Sequence, residues 1–305
     1  MRRFVTLWPE REKVPSVMAQ IAWTRELRCG TSLRCSVLQT RRRCSRLPSS
    51  HAGHVYSCGY AARRAAERAL AQLAPTEAAR WYRQALELHD QAAGGDRIER
   101  CDLLIGLGEA QCQTGDPEFR QTLLDAAHLA QALEDADRLS RAVLANSRGW
   151  WSQAGAVDSG RVHALEVADE ALADDDPRRA QVLALLANEL HFAGEPARCR
   201  ALAGEAIAIA RAAGDPATLA HTLLHASWAI WVPDTLRERH RMTDELVELA
   251  QHLDDPRLRF LAASRQWNIG AQVGDRGRVS AGLETMRAMG ARMPDPTVAL
   301  AAIRG

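Results

Sequence analysis

The chain has 305 residues, 47% apolar and 25% charged, an ordinary composition for a protein that buries a sizeable core. A net charge of +1 hides an uneven distribution: residues 1–55 hold eleven Lys or Arg against three Asp or Glu, and the remainder twenty-eight against thirty-five. No uncharged run of 18 apolar residues occurs, which excludes a membrane-spanning helix. The single lysine, Lys13, excludes a phosphate-binding loop of the Gly-x4-Gly-Lys type.

Residues 1–57 mix Arg, Cys and Ser without apolar periodicity, as in Thr40-Arg41-Arg42-Arg43-Cys44-Ser45-Arg46. Such a stretch reads as a solvated basic arm, and order is expected to begin near Gly59. A basic arm on an acidic body is compatible with nucleic-acid or membrane contact, but without an apolar stripe it favours solvent. Pro9 to Lys13 interrupts any early apolar run, so no secretory signal is read and a cytoplasmic location is expected. The seven cysteines fit that setting: Cys101, Cys112 and Cys199 fall in helical patterns. Cys29, Cys35, Cys44 and Cys58, with His51 and His54, match no paired Cys-x2-Cys zinc spacing.

From residue 58 to 305 the chain is periodic. Asp176-Pro177, Asp215-Pro216, Asp255-Pro256 and Asp295-Pro296 recur about every 40 residues. Between them fall Gly115-Asp116-Pro117, Gly155, Gly194-Glu195-Pro196, Pro233-Asp234 and Gly274-Asp275. Aspartate before proline is an N-cap followed by a first-turn proline, and glycine before it is a left-handed helix stop. Six helical hairpins follow: 60–92, 96–133, 136–173, 177–213, 216–253 and 256–291. The intervening turns are expected near 94, 115, 134, 155, 175, 194, 214, 233, 254 and 274. A seventh hairpin opens at Asp295 without its second helix, which leaves Val298, Leu300 and Ile303 without an outer neighbour. Self-association through this end, or fraying of residues 295–305, is therefore expected.

The second helices carry narrow stripes: Phe119, Leu123, Ala126, Ala130 and Leu133; Cys199, Leu202, Ala206, Ile209 and Ala213; Met242, Leu246, Leu249 and Leu253. The first helices are apolar over a wider arc, as in Val182, Leu183, Leu185, Leu186, Ala187 and Leu190. The pattern predicts an all-α, right-handed α-solenoid with its first helices on the concave face.

Motifs for chemistry are sparse. Gly106-Leu107-Gly108 lacks the third glycine and the preceding strand of a dinucleotide loop, and reads as close helix packing. His221 and His225 lie four apart on a helix but lack a nameable third metal ligand. No nucleophile elbow and no nucleophile–base pair is visible, so a non-enzymatic chain without cofactor or metal is expected. Trp150, Trp151, Trp228, Trp231 and Trp267 recur near the ends of first helices. They either plug the gaps between hairpins or offer aromatic anchors on the concave face, with Trp151 and Trp231 the best exposed candidates. A protein or small-molecule effector is the expected partner there, with no specific DNA site and no membrane contact.

Glu77 to Leu88 carries Ala78, Tyr82, Ala85, Leu86 and Leu88 in a pattern that resembles the second helix of a tetratricopeptide repeat. Leu103 to Ala110 with Gly115-Asp116 resembles the first helix and turn of the next. The longer period is similar to that of MalT-like regulators. Residues 59–300 resemble the repeat region of actinobacterial signalling proteins, in which a cyclase or LuxR-type DNA-binding domain is joined to a signal-transduction ATPase and this solenoid. The resemblance implies a sensor or scaffold arm, and no catalytic residue of those partner domains is carried over. The chain is expected to be a fragment of such a regulator, or part of an active one whose other domains are missing or lie on a separate chain.

Overall fold

The computed structural model describes residues 51–91, 95–147 and 156–291, with side chains from Cys58 onward, and every regular element among them is helical. Twelve α-helices follow one another: α1 His51–Ala71, α2 Pro75–Gln91, α3 Arg97–Thr114, α4 Phe119–Gln131, α5 Ala136–Ala145 and α6 Ser159–Ala171. Next come α7 Pro177–Glu189, α8 Pro196–Ala213, α9 Pro216–Ala229, α10 Leu236–His252, α11 Pro256–Val273 and α12 Arg276–Gly290. Single 3-10 turns sit at Leu190–Phe192 and Pro233–Thr235. The helix boundaries match the turns expected near 115, 134, 175, 194, 214, 233, 254 and 274, whereas α5 ends at Ala145, well short of the turn expected near 155, and positions 94 and 155 themselves lie outside the described residues. Helix α1 begins at His51, so residues 51–57, assigned above to the arm, are helical. The rest of the arm, with Cys29, Cys35 and Cys44, and the seventh hairpin at Asp295 lie outside the described residues.

The punctuation works by the expected chemistry. Asp176, Asp215 and Asp255 accept hydrogen bonds from the backbone N–H of Arg178, Thr218 and Leu258 at 2.9, 2.8 and 2.9 Å, each just ahead of a first-turn proline. Asp96, Asp135, Asp158 and Asp275 cap their helices in the same way. Each carboxylate satisfies one orphan donor of the first turn. Glu195 and Thr235 stand at the equivalent position without a side-chain cap, so proline alone opens α8 and the 3-10 turn leads into α10. At the other ends Gly115 and Gly274 turn at φ 72° and 73°, a region that a side chain would strain.

Each helix packs on its sequence neighbours, and the odd-numbered helices also form a row: α1 touches α3, and α3, α5, α7, α9 and α11 touch in succession. Small residues allow the approach. A Cβ on Gly106 would lie 2.3 Å from the Tyr82 ring on α2, and one on Gly108 would lie 2.4 Å from Leu123 on α4. The two glycines therefore seat α3 between its neighbours, as the packing reading of Gly106-Leu107-Gly108 expects. Helix α7 is buried nearly all round, from Ala180 through Val182, Leu183, Leu185 and Leu186 to Leu190. On α8 and α10 the buried face is turned from the expected stripe. Cys199, Ala203, Ala206 and Ala210 are buried while Ala213 is exposed, and α10 buries Arg239, Thr243, Leu246 and Ala250.

Ion pairs tie successive hairpins together across 32 to 41 residues. Arg138 grips both oxygens of Asp102 at 3.0 Å and Asp135 at 2.6 Å. Arg120 forks onto Asp158, Arg178 reaches Asp137 at 2.6 Å, and Arg278 reaches Asp244. The planar guanidinium suits such two-pronged grips. The Arg120 fork, together with the cap bond from Arg161, holds the Asp158 carboxyl down to about 2.

Candidate functional site

A cavity of about 600 Å³ opens along the odd-numbered row, within the size range of small-molecule sites. Its lining residues come from α3, α5, α7, α9 and α11 or from residues flanking them. Side chains three and four residues apart share a helical face, and each helix presents such a set. Glu109, Cys112 and Gln113 come from α3, and Arg141 and Ala145 from α5. His221 and His225 come from α9, and Arg257, Leu261 and Arg265 from α11. The lining is also periodic in sequence. Arg141, Gln181, His221 and Leu261 stand 40 residues apart, and His225 and Arg265 repeat that spacing. At one side of the cavity Arg257 Nη2 comes within 3.8 Å of Cys112 Sγ, 145 residues away along the chain.

The wall mixes apolar side chains such as Leu144, Leu224 and Leu261 with polar and charged ones, and the charges are unevenly answered. Arg141 reaches Asp102 at 3.3 Å. Burial raises the Glu109 carboxyl above its ordinary range. One oxygen of Asp255 is taken by the Leu258 cap bond and the other faces His221 at 3.9 Å. Burial, helped by the neighbouring His221 and Arg265, pushes His225 down to about 3, so its ring is neutral at pH 7, and Asn188 Nδ2 lies 3.5 Å from its Nδ1. Arg265 is half-buried as a side chain, while its Nε is fully enclosed and has no hydrogen-bond partner. Among the described residues no carboxylate lies within 4.0 Å of Arg257 or Arg265. Desolvation lowers the Arg265 guanidinium to about 10, still charged at neutral pH.

The aromatic residues stand behind this wall. The Arg265 guanidinium lies 4.7 Å from the centre of the Trp228 ring. Trp228 meets Trp231 edge to face at 4.5 Å, and Arg239 covers Trp231 at 4.6 Å. Arg239 finds neutral acceptors in Thr235 at 3.3 Å and Gln272 at 2.9 Å. Trp267 packs with Phe260, Ala263 and Met286 between α11 and α12. Trp228, Trp231 and Trp267 are thus half-buried packing residues outside the cavity lining, and the gap-filling alternative describes them. Trp150 and Trp151 lie outside the described residues. Sequence reasoning missed Arg257 and Arg265, because charged helix residues read as solvated. The 40-residue register linking His225 to Arg265 was the signal that could have found them.

His221 and His225 do share the cavity, as their spacing requires. Among the described residues no group of three His, Cys, Asp or Glu is placed to hold a metal ion. No helix of the described residues is long and apolar enough to cross a membrane. No protein-family model matches the sequence, and no curated protein matches it.

Proposed function

We propose that this chain is a right-handed, tetratricopeptide-like helical-hairpin scaffold that binds an effector along its inner row of helices and performs no chemistry of its own. The observation that carries the reading is the cavity: its lining comes from alternate helices and the residues flanking them, and Arg141, Gln181, His221 and Leu261 in it repeat every 40 residues. In a stack of hairpins the first helices face the inside of the curve, and a repeated inner position becomes a binding surface. The resemblance to the repeat regions of LuxR-type and cyclase-linked signal-transduction ATPases supplies the role, an effector-sensing arm of a cytoplasmic regulator.

The reading is tested by filling the cavity. Ala145 lines it and is half-buried, so Ala145→Phe places a ring in the open space without displacing a core residue. A small-molecule set is screened against the full chain by thermal shift. Hits that lose their effect on Ala145→Phe support the reading, and hits indifferent to it contradict the inner-row site. ATP turnover by the purified chain is expected to stay at background, and turnover above it overturns the non-enzymatic assignment.

A further inference from the structure

Resting on that inner-row site, we propose that the cavity takes a small anionic molecule, a carboxylate or a phosphate ester, gripped by the Arg265 guanidinium with Arg257 as second cation. A guanidinium removed from water ordinarily finds a carboxylate or several carbonyl acceptors, because an unanswered charge is costly to bury. This chain follows that rule at Arg120, Arg138, Arg178 and Arg278. The buried Arg239 has two neutral acceptors, although its Nη1 is enclosed without one. Arg265 goes further: it has no hydrogen-bond acceptor at Nε and meets the face of Trp228. An aromatic ring on one side of the guanidinium supplies no oxygen acceptor, and the planar fork of N–H groups suits a two-oxygen anion.

Neither carboxylate of the cavity lies within 4.0 Å of Arg265: Asp255 is engaged by its cap bond and faces His221, and Glu109 stands on α3, its carboxyl raised by burial. Asn188, by contrast, adds an amide donor to the same wall. The contact between Arg257 and Cys112 links α11 to α3 at one side of the space. A volume of about 600 Å³ is of the size that holds a small molecule.

The experiment uses matched probes on the full chain: succinate against succinamide, and glucose 6-phosphate against glucose, each titrated calorimetrically into wild type, Arg265→Gln, Arg265→Lys and Ala145→Phe. We expect an anion to bind while its neutral partner does not, and the two pairs separate carboxylate from phosphate recognition. Charge-assisted hydrogen bonds of this kind are worth about 1.5–3 kcal/mol, so Arg265→Gln should weaken the anion roughly tenfold to a hundredfold, and Arg265→Lys should restore part of it. Unfolding of each variant followed by circular dichroism confirms that the fold is intact. Equal binding of an anion and its neutral partner, or anion binding unchanged in Arg265→Gln, overturns the proposal. If a neutral probe binds and Ala145→Phe alone abolishes it, the inner-row site stands and the anion inference falls. An anion that binds Ala145→Phe as well as wild type overturns both.

Discussion

Arg138 on α5 and Arg265 on α11 sit in the same row of helices in opposite circumstances. Arg138 joins α5 to α3 with two parallel bonds to Asp102 and a third to Asp135. Arg265 faces a cavity with an aromatic ring at its back and no carboxylate near it. Both charges are partly withdrawn from water, so the difference lies in what answers them. The first kind of arginine serves the stack, and the second costs stability that a bound anion would offset.

The largest effect is expected where one change disturbs both regions. Helix α3 carries Asp102 of the ion-pair ladder as well as Glu109 and Cys112 of the cavity, and Gly106 holds it against Tyr82. Gly106→Val should therefore destabilise the protein by about 3 kcal/mol, read by chemical denaturation. An unchanged midpoint would show that α3 is not held at the distance described.

A smaller loss isolates the ladder. Asp102→Asn leaves Arg138 and Arg141 without their shared carboxylate and should lower stability by about 2 kcal/mol. That is less than for a fully buried pair, because the Arg138 side chain keeps 22% of its exposure. The cavity has its own signature in acid. His225 is pushed down to about 3 by burial, against an ordinary value near 6.5. A depressed histidine contributes stability above the unfolded value that is lost as pH falls through 6.5 toward 3, because the unfolded chain takes up the proton first. His221 is lowered in the same sense, again chiefly by burial. Between pH 6.5 and 5, where few carboxylates titrate, His225→Asn should flatten a slope of at most about 1.4 kcal/mol per pH unit. An identical slope in wild type and variant contradicts the buried, neutral ring. The smallest effect belongs to an exposed pair: Glu238→Gln, which frees Arg200 at the surface, should change stability by less than about 0.5 kcal/mol.

The turns were legible because their chemistry is local. Aspartate before proline and glycine before aspartate act on the next few backbone N–H groups and the last carbonyls, so spacing alone located nearly every boundary. The buried faces of α8 and α10 were harder. Arg239 and Thr243 occupy the interior of α10, so counting apolar residues turned the stripe toward Met242 and Leu249. The site was harder still. Tryptophans drew attention as large and sticky, yet Trp228 and Trp231 fill space behind the wall. The charged and polar part of the cavity lining includes Arg, His, Gln and Asn, residues that a helix normally gives to solvent. Whether such a residue faces water or a cavity depends on contacts between helices some 40 residues apart, which only the register of Arg141, Gln181, His221 and Leu261 betrays.

The most direct test of the contrast is thermal unfolding of Arg138→Gln and Arg265→Gln side by side, without ligand, in one buffer at pH 7. The account predicts opposite responses. Arg138→Gln should melt several degrees below wild type, having lost a doubly bonded partner, while Arg265→Gln should melt at or about 2 °C above it, relieved of an unanswered charge. A melting temperature for Arg265→Gln as far below wild type as that of Arg138→Gln would contradict the claim, because Arg265 would then be a structural residue like the others.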